Sequence, residues 1–296
     1  MSINLFNNPK VNNTSEKSGI MTNNSSLLNE LLFSGALVLA LYVTMMFIEI
    51  LYKYLNRLSM DRTVLLAYTY NMDSKSVIIP QNPNQRDAKP VHLSRNERSG
   101  VEFSYSFYLH VHPSAFRQEY GLLHIFHKGY SGQFPLLAPG VYMRSDTNTL
   151  RVYMNTYKTW NNYVEVENIP VSKWVHIVVV CKENCLEIYI NGNLSKKLPF
   201  DGYAPYQNYQ DISCFNQRRI VLRPSTLPSL EEELNIFGVT KGLLSRLQYF
   251  SYAVSYAEIQ KLLNEGPSTK MDPEQLGDVP PYLSDTWWHT SVQSQK

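Results

Sequence analysis

The sequence has few cysteines and little net charge. Three thiols, Cys181, Cys185 and Cys214, stand in 296 residues. So odd and sparse a count argues against a disulfide framework. Cys181 and Cys185 flank a short turn at 182–184 and could bridge across a hairpin; reduced thiols in a cytosol-like environment are the simpler reading. Their Cys-x3-Cys spacing has no second pair of ligands, which argues against zinc. Lysine and arginine total 27 against 25 acidic residues, a net charge of +2. That excludes a global basic field for nucleic acid. Neither a Gly-rich phosphate loop nor a Ser/His/Asp order stands out. The paired carboxylates of many glycosidases, spaced Glu-x-Asp-x-x-Glu or Glu-x-Asp-x-Glu, are also missing. Glu165 and Glu167 share one face of an expected strand, about 7 Å apart. Val164 and Val166 would take the core face and leave both carboxylates solvated.

Near the N-terminus stands an uncharged apolar run. Residues 31–48 carry no side chain that is charged at neutral pH, and Glu30 and Glu49 bracket them. At ~1.5 Å per residue such a helix spans roughly 27 Å, about a bilayer's hydrocarbon core. The run is longer than a typical signal-peptide core and no small-x-small cleavage site follows, so residues 31–52 read as a retained transmembrane anchor. Lys17 lies on its N-terminal side, and Lys53, Arg57 and Arg62 on its C-terminal side. By the positive-inside rule the C-terminal domain faces the cytosol. Glycosylation acceptor patterns begin at Asn12, Asn23 and Asn193.

The remainder divides by composition. Residues 1–30, rich in Asn and Ser, read as a disordered tail. Residues 53–99 read as a connecting arm: the helix can continue past 53 and turn to a strand at 63–70, and a stretch with Pro80, Pro83 and Pro90 follows, packed in part on the domain. From 101 to 111 odd positions are apolar or aromatic and even ones mostly polar, the pattern of a strand with one face on a core. Further strands are expected at 122–126, 141–144, 150–155, 163–167, 174–181, 186–190, 194–198, 220–222, 235–238 and 243–252. Asn191-Gly192 signals a two-residue hairpin, since both residues tolerate positive φ. Ser255 and Glu258 form a capping box ahead of a short helix with Ile259, Leu262 and Leu263 on one face, stopped by Gly266 and Pro267. Many short strands imply an all-β fold of two packed antiparallel sheets. In the tail, 267–296, Trp287 and Trp288 would dock on the domain or on a partner.

Three segments together carry a resemblance. Lys173-Trp174-Val175-His176 leads into a β-branched run. Leu186-Glu187-Ile188-Tyr189-Ile190-Asn191-Gly192 follows, and Tyr249-Phe250-Ser251-Tyr252-Ala253-Val254-Ser255-Tyr256-Ala257-Glu258-Ile259 closes the set. Over residues 100–266 the chain resembles the laminin-G-like branch of the concanavalin A-like lectin/glucanase superfamily, with Val254 where leucine is usual. The resemblance implies a jelly-roll sandwich. With its short N-terminal tail, single anchor, jelly roll and Tyr282-Leu283-Ser284-Asp285-Thr286-Trp287-Trp288 ending, the chain also resembles membrane-anchored proteins of large nucleocytoplasmic DNA viruses. That implies a non-enzymatic binding or structural module of a virion membrane, associated with capsid or other virion proteins. An outward-facing lectin for attachment is the alternative, and a degenerate glycoside hydrolase a third reading.

Family members bind sugars with aromatic rings and neighbouring amides. Here Trp160, Asn161, Asn162 and Tyr163 are the first candidate set, and Tyr203, Tyr206 and Tyr209 with Asn208 the second. Family calcium sites use loop oxygens. Asp146, Asn148, Asn161, Asn162 and Asp201 are available, yet no dense acidic loop occurs, so no cofactor is assigned and calcium alone is kept in view. His110 and His112 share a strand face without a third ligand, with His124 as a neighbour to check. His176, inside the Trp-x-His segment, reads as a packed, hydrogen-bonded core residue.

Overall fold

The computed structural model describes residues 16–94, 101–130, 136–225, 230 and 233–273, and within the first helix the side chains of 27–53. The expected tail before residue 16 and the Trp287-Trp288 pair lie outside the described residues. The chain divides into two units, Met1–Leu58 and Ser59–Lys296.

Helix α1 (Glu16–Met60) is built around the apolar run. Its stretch Leu27–Lys53, of mean hydropathy 2.3, is long and apolar enough to cross a membrane. Those residues span roughly 40 Å at the usual helical rise. Leu31, Phe33, Met45 and Phe47 are all exposed, unlike the buried helix of a soluble core. The Ser34 hydroxyl donates to Leu31 O at 2.9 Å and the Thr44 hydroxyl to Leu41 O at 2.8 Å, so both polar groups are satisfied within the helix. The helix starts well before residue 31, and its continuation past residue 53 runs to Met60, just ahead of the expected strand. Residues 16–30, expected in a disordered tail, are helical, because adding a turn to a formed helix is far easier than nucleating one.

The second unit is a two-sheet sandwich. In chain order it contains β1 (Arg62–Asn71), β2 (Val77–Ile79), β3 (Phe103–Val111), β4 (Leu122–Tyr130), β5 (Leu136–Arg144), β6 (Leu150–Tyr153) and β7 (Tyr163–Val166). Then come β8 (Trp174–Lys182), β9 (Cys185–Ile190), β10 (Asn193–Pro199), β11 (Ile212–Cys214), β12 (Ile220–Leu222), β13 (Leu234–Val239), β14 (Gly242–Phe250) and helix α2 (Tyr256–Glu265). A six-stranded sheet runs β1-β14-β3-β8-β9-β10. An eight-stranded sheet runs β12-β13-β4-β5-β6-β7, with β11 joining β2 to β4. Neighbours are antiparallel except β13 and β4, which run parallel through Ile236 and Leu122.

The all-β sandwich expected from the strand pattern is present. Phe103, Tyr105, Phe107 and Leu109 of β3 point into the core, as do Val175, Ile177 and Val179 of β8. From the other sheet Leu123, Val141, Met143, Leu150 and Val152 meet them. Tyr105 packs 5.1 Å from Tyr249, and Phe107 lies edge-on to Phe126 at 5.2 Å. Such aromatic pairs add about 1 kcal/mol each beyond their burial. Asn191 and Gly192 take φ +48 and +82, as the hairpin turn requires.

Two features go beyond the strand pattern. The strand expected at 63–70 is β1, paired with β14, and the arm also holds β2, paired with β11, for which no strand was expected. Leu65, Leu66, Met72 and Ile79 enter the core, so apolar burial recruits this segment despite its prolines. The polar positions of β3 are also buried rather than solvated. Helix α2 covers that face: Val178, Val180, Phe250, Val254, Ile259 and Leu262 form a second apolar layer. Beneath it the Ser104 hydroxyl donates to Tyr252 O, and the Tyr108 hydroxyl to Leu262 O at the helix's end. The capping box is formed, with the Glu258 carboxylate accepting from Ser255 N at 2.7 Å, and Gly266 ends the helix at φ +66.

Candidate functional site

The two aromatic segments singled out from sequence meet on one surface. The loop after β6 and the loop before β11 are joined through a bridge between Thr156 and Pro205. Tyr157 N donates to Ala204 O at 3.2 Å, and Tyr206 N to Asn155 O at 2.9 Å. Asn155 is the hub. Its buried side chain accepts from Leu137 N and its backbone N–H donates to Leu137 O, which ties both loops to β5. Its backbone role is shared with many loop residues, and no sequence signal marked it.

Each candidate then has a place. Trp160 is half-buried and stacks on Tyr153 with ring centroids 6.3 Å apart. It packs with Leu122, Tyr142, Leu222, Leu234 and Ile236 against the outer side of the eight-stranded sheet. The Asn162 amide donates to the Thr156 hydroxyl at 3.0 Å, and Asn161 N to the Thr159 hydroxyl at 3.2 Å, so the asparagines hold the loop. Tyr163 is exposed beside the Arg151 guanidinium, 4.4 Å from its centroid. Tyr203 is exposed beneath the Lys158 ammonium at 4.5 Å. Tyr206, half-buried, packs edge-on to Tyr157 at 5.3 Å. Tyr157 itself is 72% exposed and was not singled out from sequence.

Past Tyr206 the same loop forms one wall of a cleft of about 330 Å³ with a mixed lining, in which Val91, Leu93 and Tyr209 stand beside Lys128, Asn208 and Asp211. Tyr209 is 71% exposed at this cleft, and Asn208 is buried, its amide donating to Lys128 O at 3.0 Å. Lys128 of β4 is only 1% exposed, and its ammonium donates to Gln210 O at 2.6 Å. Burial pushes its pKa down to about 8, with Asp211 acting in the opposite sense. Gly129 beside it has φ +131, and any Cβ there would run into Leu136 O. Perturbed ionisable groups in clefts mark candidate sites.

The other chemistry weighed from sequence is placed elsewhere. Glu165 is half-buried rather than fully solvated, and its carboxylate meets Arg151 at 2.7 Å and Arg144 at 3.8 Å. Glu167 is exposed. Asp146 is paired with Arg144 at 2.6 Å, which holds its carboxyl below the usual range, and the Asn148 amide donates to Ile169 O. Among the described residues no three His, Cys, Asp or Glu side chains gather as a metal site. His110 packs on His112 and Trp174. His124 bonds instead to His127, Nε2 to Nδ1 at 2.7 Å. Asn216 N donates to His124 Nδ1, so that nitrogen is bare and the proton sits on Nε2, which donates to His127. Burial pushes His127 down to about 4 and His124 well below its usual value, with His127 adding to the effect on His124. His176 is buried and bonded to Ser106 at 2.9 Å, as its sequence context implied. All three cysteines are free and buried.

Residues 88–218 match a family model described as the concanavalin A-like lectin/glucanases superfamily. The matched segment omits β1, β14 and α2, which complete the six-stranded sheet and its cover. No curated protein matches the chain. Among solved structures, the binding domain of Paraclostridial Mosquitocidal Protein 1 is 12% identical with a TM-score of 0.43, over 69% of this chain and 46% of that one. The ligand binding domain of botulinum neurotoxin serotype D, in complex with N-acetylneuraminic acid, is 10% identical with a TM-score of 0.42, over 69% of this chain and 51% of that one. The binding domain of botulinum neurotoxin DC, in complex with rat synaptotagmin II, is 15% identical with a TM-score of 0.40, over 67% and 42%. The chain spans half or less of the length of most of these structures.

Proposed function

We propose that this protein is a membrane-tethered, non-enzymatic binding module whose joined loops take a carbohydrate. One observation carries the reading: the two aromatic loops are joined at Thr156 and Pro205, and Tyr157 and Tyr203 on them stay exposed, Tyr203 with the Lys158 ammonium over one face of its ring. A flat ring packs on the apolar face of a sugar, and nearby polar groups read its hydroxyls. The match of residues 88–218 to a superfamily named for lectins supports the ligand class. That name also covers glucanases. Glu165 is already engaged by Arg151 and Arg144, which argues against it as a free general acid or base. Helix α1 supplies the tether.

The test uses the full chain in lipid nanodiscs, first on a glycan array and then by titration calorimetry. Tyr157→Ala and Tyr203→Ala are expected to weaken the ligand found by about tenfold or more each, the scale of a buried aromatic contact. Absence of binding to every glycan at millimolar concentration would overturn the reading.

A second reading is favoured by a separate observation. Lys53, Arg57 and Arg62 outnumber Lys17 across the helix, and the three thiols are unpaired. Both support a domain on the cytosolic side. In a virus of the kind the chain resembles, that side lies between the virion membrane and the assembling capsid, and the module would bind a capsid or virion protein there. Protease protection in a eukaryotic membrane system separates the two settings. A digestible, unmodified domain supports the tether; a protected domain glycosylated at Asn193 supports the outward-facing lectin.

A further inference from the structure

Lys128 is anomalous for a charged side chain. It is 1% exposed, yet it lines a cleft of about 330 Å³. Its ammonium has one hydrogen-bond partner among the described residues, Gln210 O at 2.6 Å, and two N–H groups remain. No carboxylate among the described residues pairs with it. Asp211 stands in the same wall, but one of its oxygens accepts from Gln81 N at 2.8 Å. A buried, unpaired ammonium is costly, so the fold retains it at the expense of stability.

The neighbouring amides are already committed. Gln81 donates to Ile79 O and Lys89 O and accepts from Val91 N. Asn208 donates to Lys128 O and accepts from Gln210 N. These bonds fix the walls and leave the ammonium as the cleft's strongest unspent donor. The exposed ring of Tyr209 offers a stacking face beside it. A volume of this size suits a ligand of about one sugar ring.

We infer that the Lys128 cleft binds the singly charged acid group of a sugar, a carboxylate or a sulfate monoester. This rests on the carbohydrate reading above and places the acid-recognising subsite on the continuation of the aromatic loop. The charge count sets the class. One ammonium balances one negative charge, and Asp211 in the wall opposes a second, which disfavours a phosphate monoester dianion. At neutral pH the ammonium keeps its proton, since its pKa of about 8 lies above 7. The two spare N–H groups then make charge-assisted bonds to the acid's oxygens.

The experiment titrates the full chain in nanodiscs with methyl glucuronide, methyl galactoside 6-sulfate and their uncharged parent methyl glycosides. The wild type is expected to prefer an acidic probe over its neutral parent by about tenfold or more, the scale of a buried charge pair. Lys128→Met keeps the stem and removes the charge, and is expected to abolish that preference. Asp211→Asn, which retains the oxygen facing Gln81 N, is expected to tighten the acidic probes severalfold and leave the neutral ones unchanged. It remains informative if Lys128→Met does not fold. Which acid binds more tightly separates carboxylate from sulfate. A wild type without preference, or a preference that survives Lys128→Met, overturns the inference. Neutral sugars still binding in that case leaves the carbohydrate reading standing; failure of every sugar removes both.

Discussion

The outer faces of the two sheets are covered in different ways. On the six-stranded sheet a capped helix lays Ile259 and Leu262 on Val178, Val180 and Phe250. On the eight-stranded sheet loops do the covering. Trp160 and Leu230 lie over Tyr142, Tyr153 and Leu122, and beside them run the polar pairs Arg151–Glu165 and His124–His127. A helix satisfies its own backbone, so its contact face can be wholly apolar. Loops must satisfy theirs through side chains, and the ones that do so here carry their remaining rings outward. The face that is harder to seal is therefore the one left with exposed rings.

Acid gives the largest expected break in this comparison. His124, His127 and His176 are buried, and their pKa values are lowered, to about 4 for His127 and His176. The unfolded chain therefore binds more protons below about 6.5, and stability present above that pH is lost as pH falls through about 4. His127 alone accounts for on the order of 3 kcal/mol at pH 4. Urea unfolding of the full chain at stepped pH measures it, and a flat profile between pH 7 and 4 refutes the buried neutral histidines. Two of the three lie on the loop-covered sheet, so acid is expected to loosen that side first, read by hydrogen exchange on β4.

Next in size is the helix cover. Ile259→Ala is expected to cost about 3 kcal/mol, as for a fully buried aliphatic side chain, and to leave sugar binding unchanged once folded. Ser255→Ala removes the cap and is expected to cost about 1 kcal/mol in the same assay. Smallest is Tyr157→Ala, an exposed ring, expected to shift stability by less than about 0.5 kcal/mol while still weakening binding. An equal loss of stability from Tyr157→Ala and Ile259→Ala would erase the distinction between the two faces.

Much of this was legible in the residues. The alternation of β3 and β8, the Asn191-Gly192 hairpin and the Ser255–Glu258 cap are local signals, and each has its expected form. Strands β2 and β11 have three residues each, too few for a period to show. The His124–His127 contact was hidden by a register shift. Residues three apart on a regular strand face opposite ways, but the irregularity between His124 and Phe126 turns both histidines to one side. Lys128 was hidden for another reason. A lone lysine in a strand reads as solvated, and only the wall supplied by residues 208–211, some eighty positions later, buries it. Of the candidate rings, sequence located the two loops, while their union depends on the Thr156–Pro205 bridge.

One junction has a mechanical meaning. The sandwich starts two residues after α1 ends, at Arg62. Ser251 N donates to Asp61 O at 3.0 Å, and Arg62 reaches Glu265 at 3.4 Å. Beyond them β1 is stitched along β14 from Phe250 to Leu243. Tension arriving through the helix meets this clasp before any other strand, and β14 passes it to the middle of the sheet. A pull along α1 thus loads the strand next to it in sequence first, and reaches the Tyr157 and Tyr203 loops of the other sheet only through the rest of the sandwich.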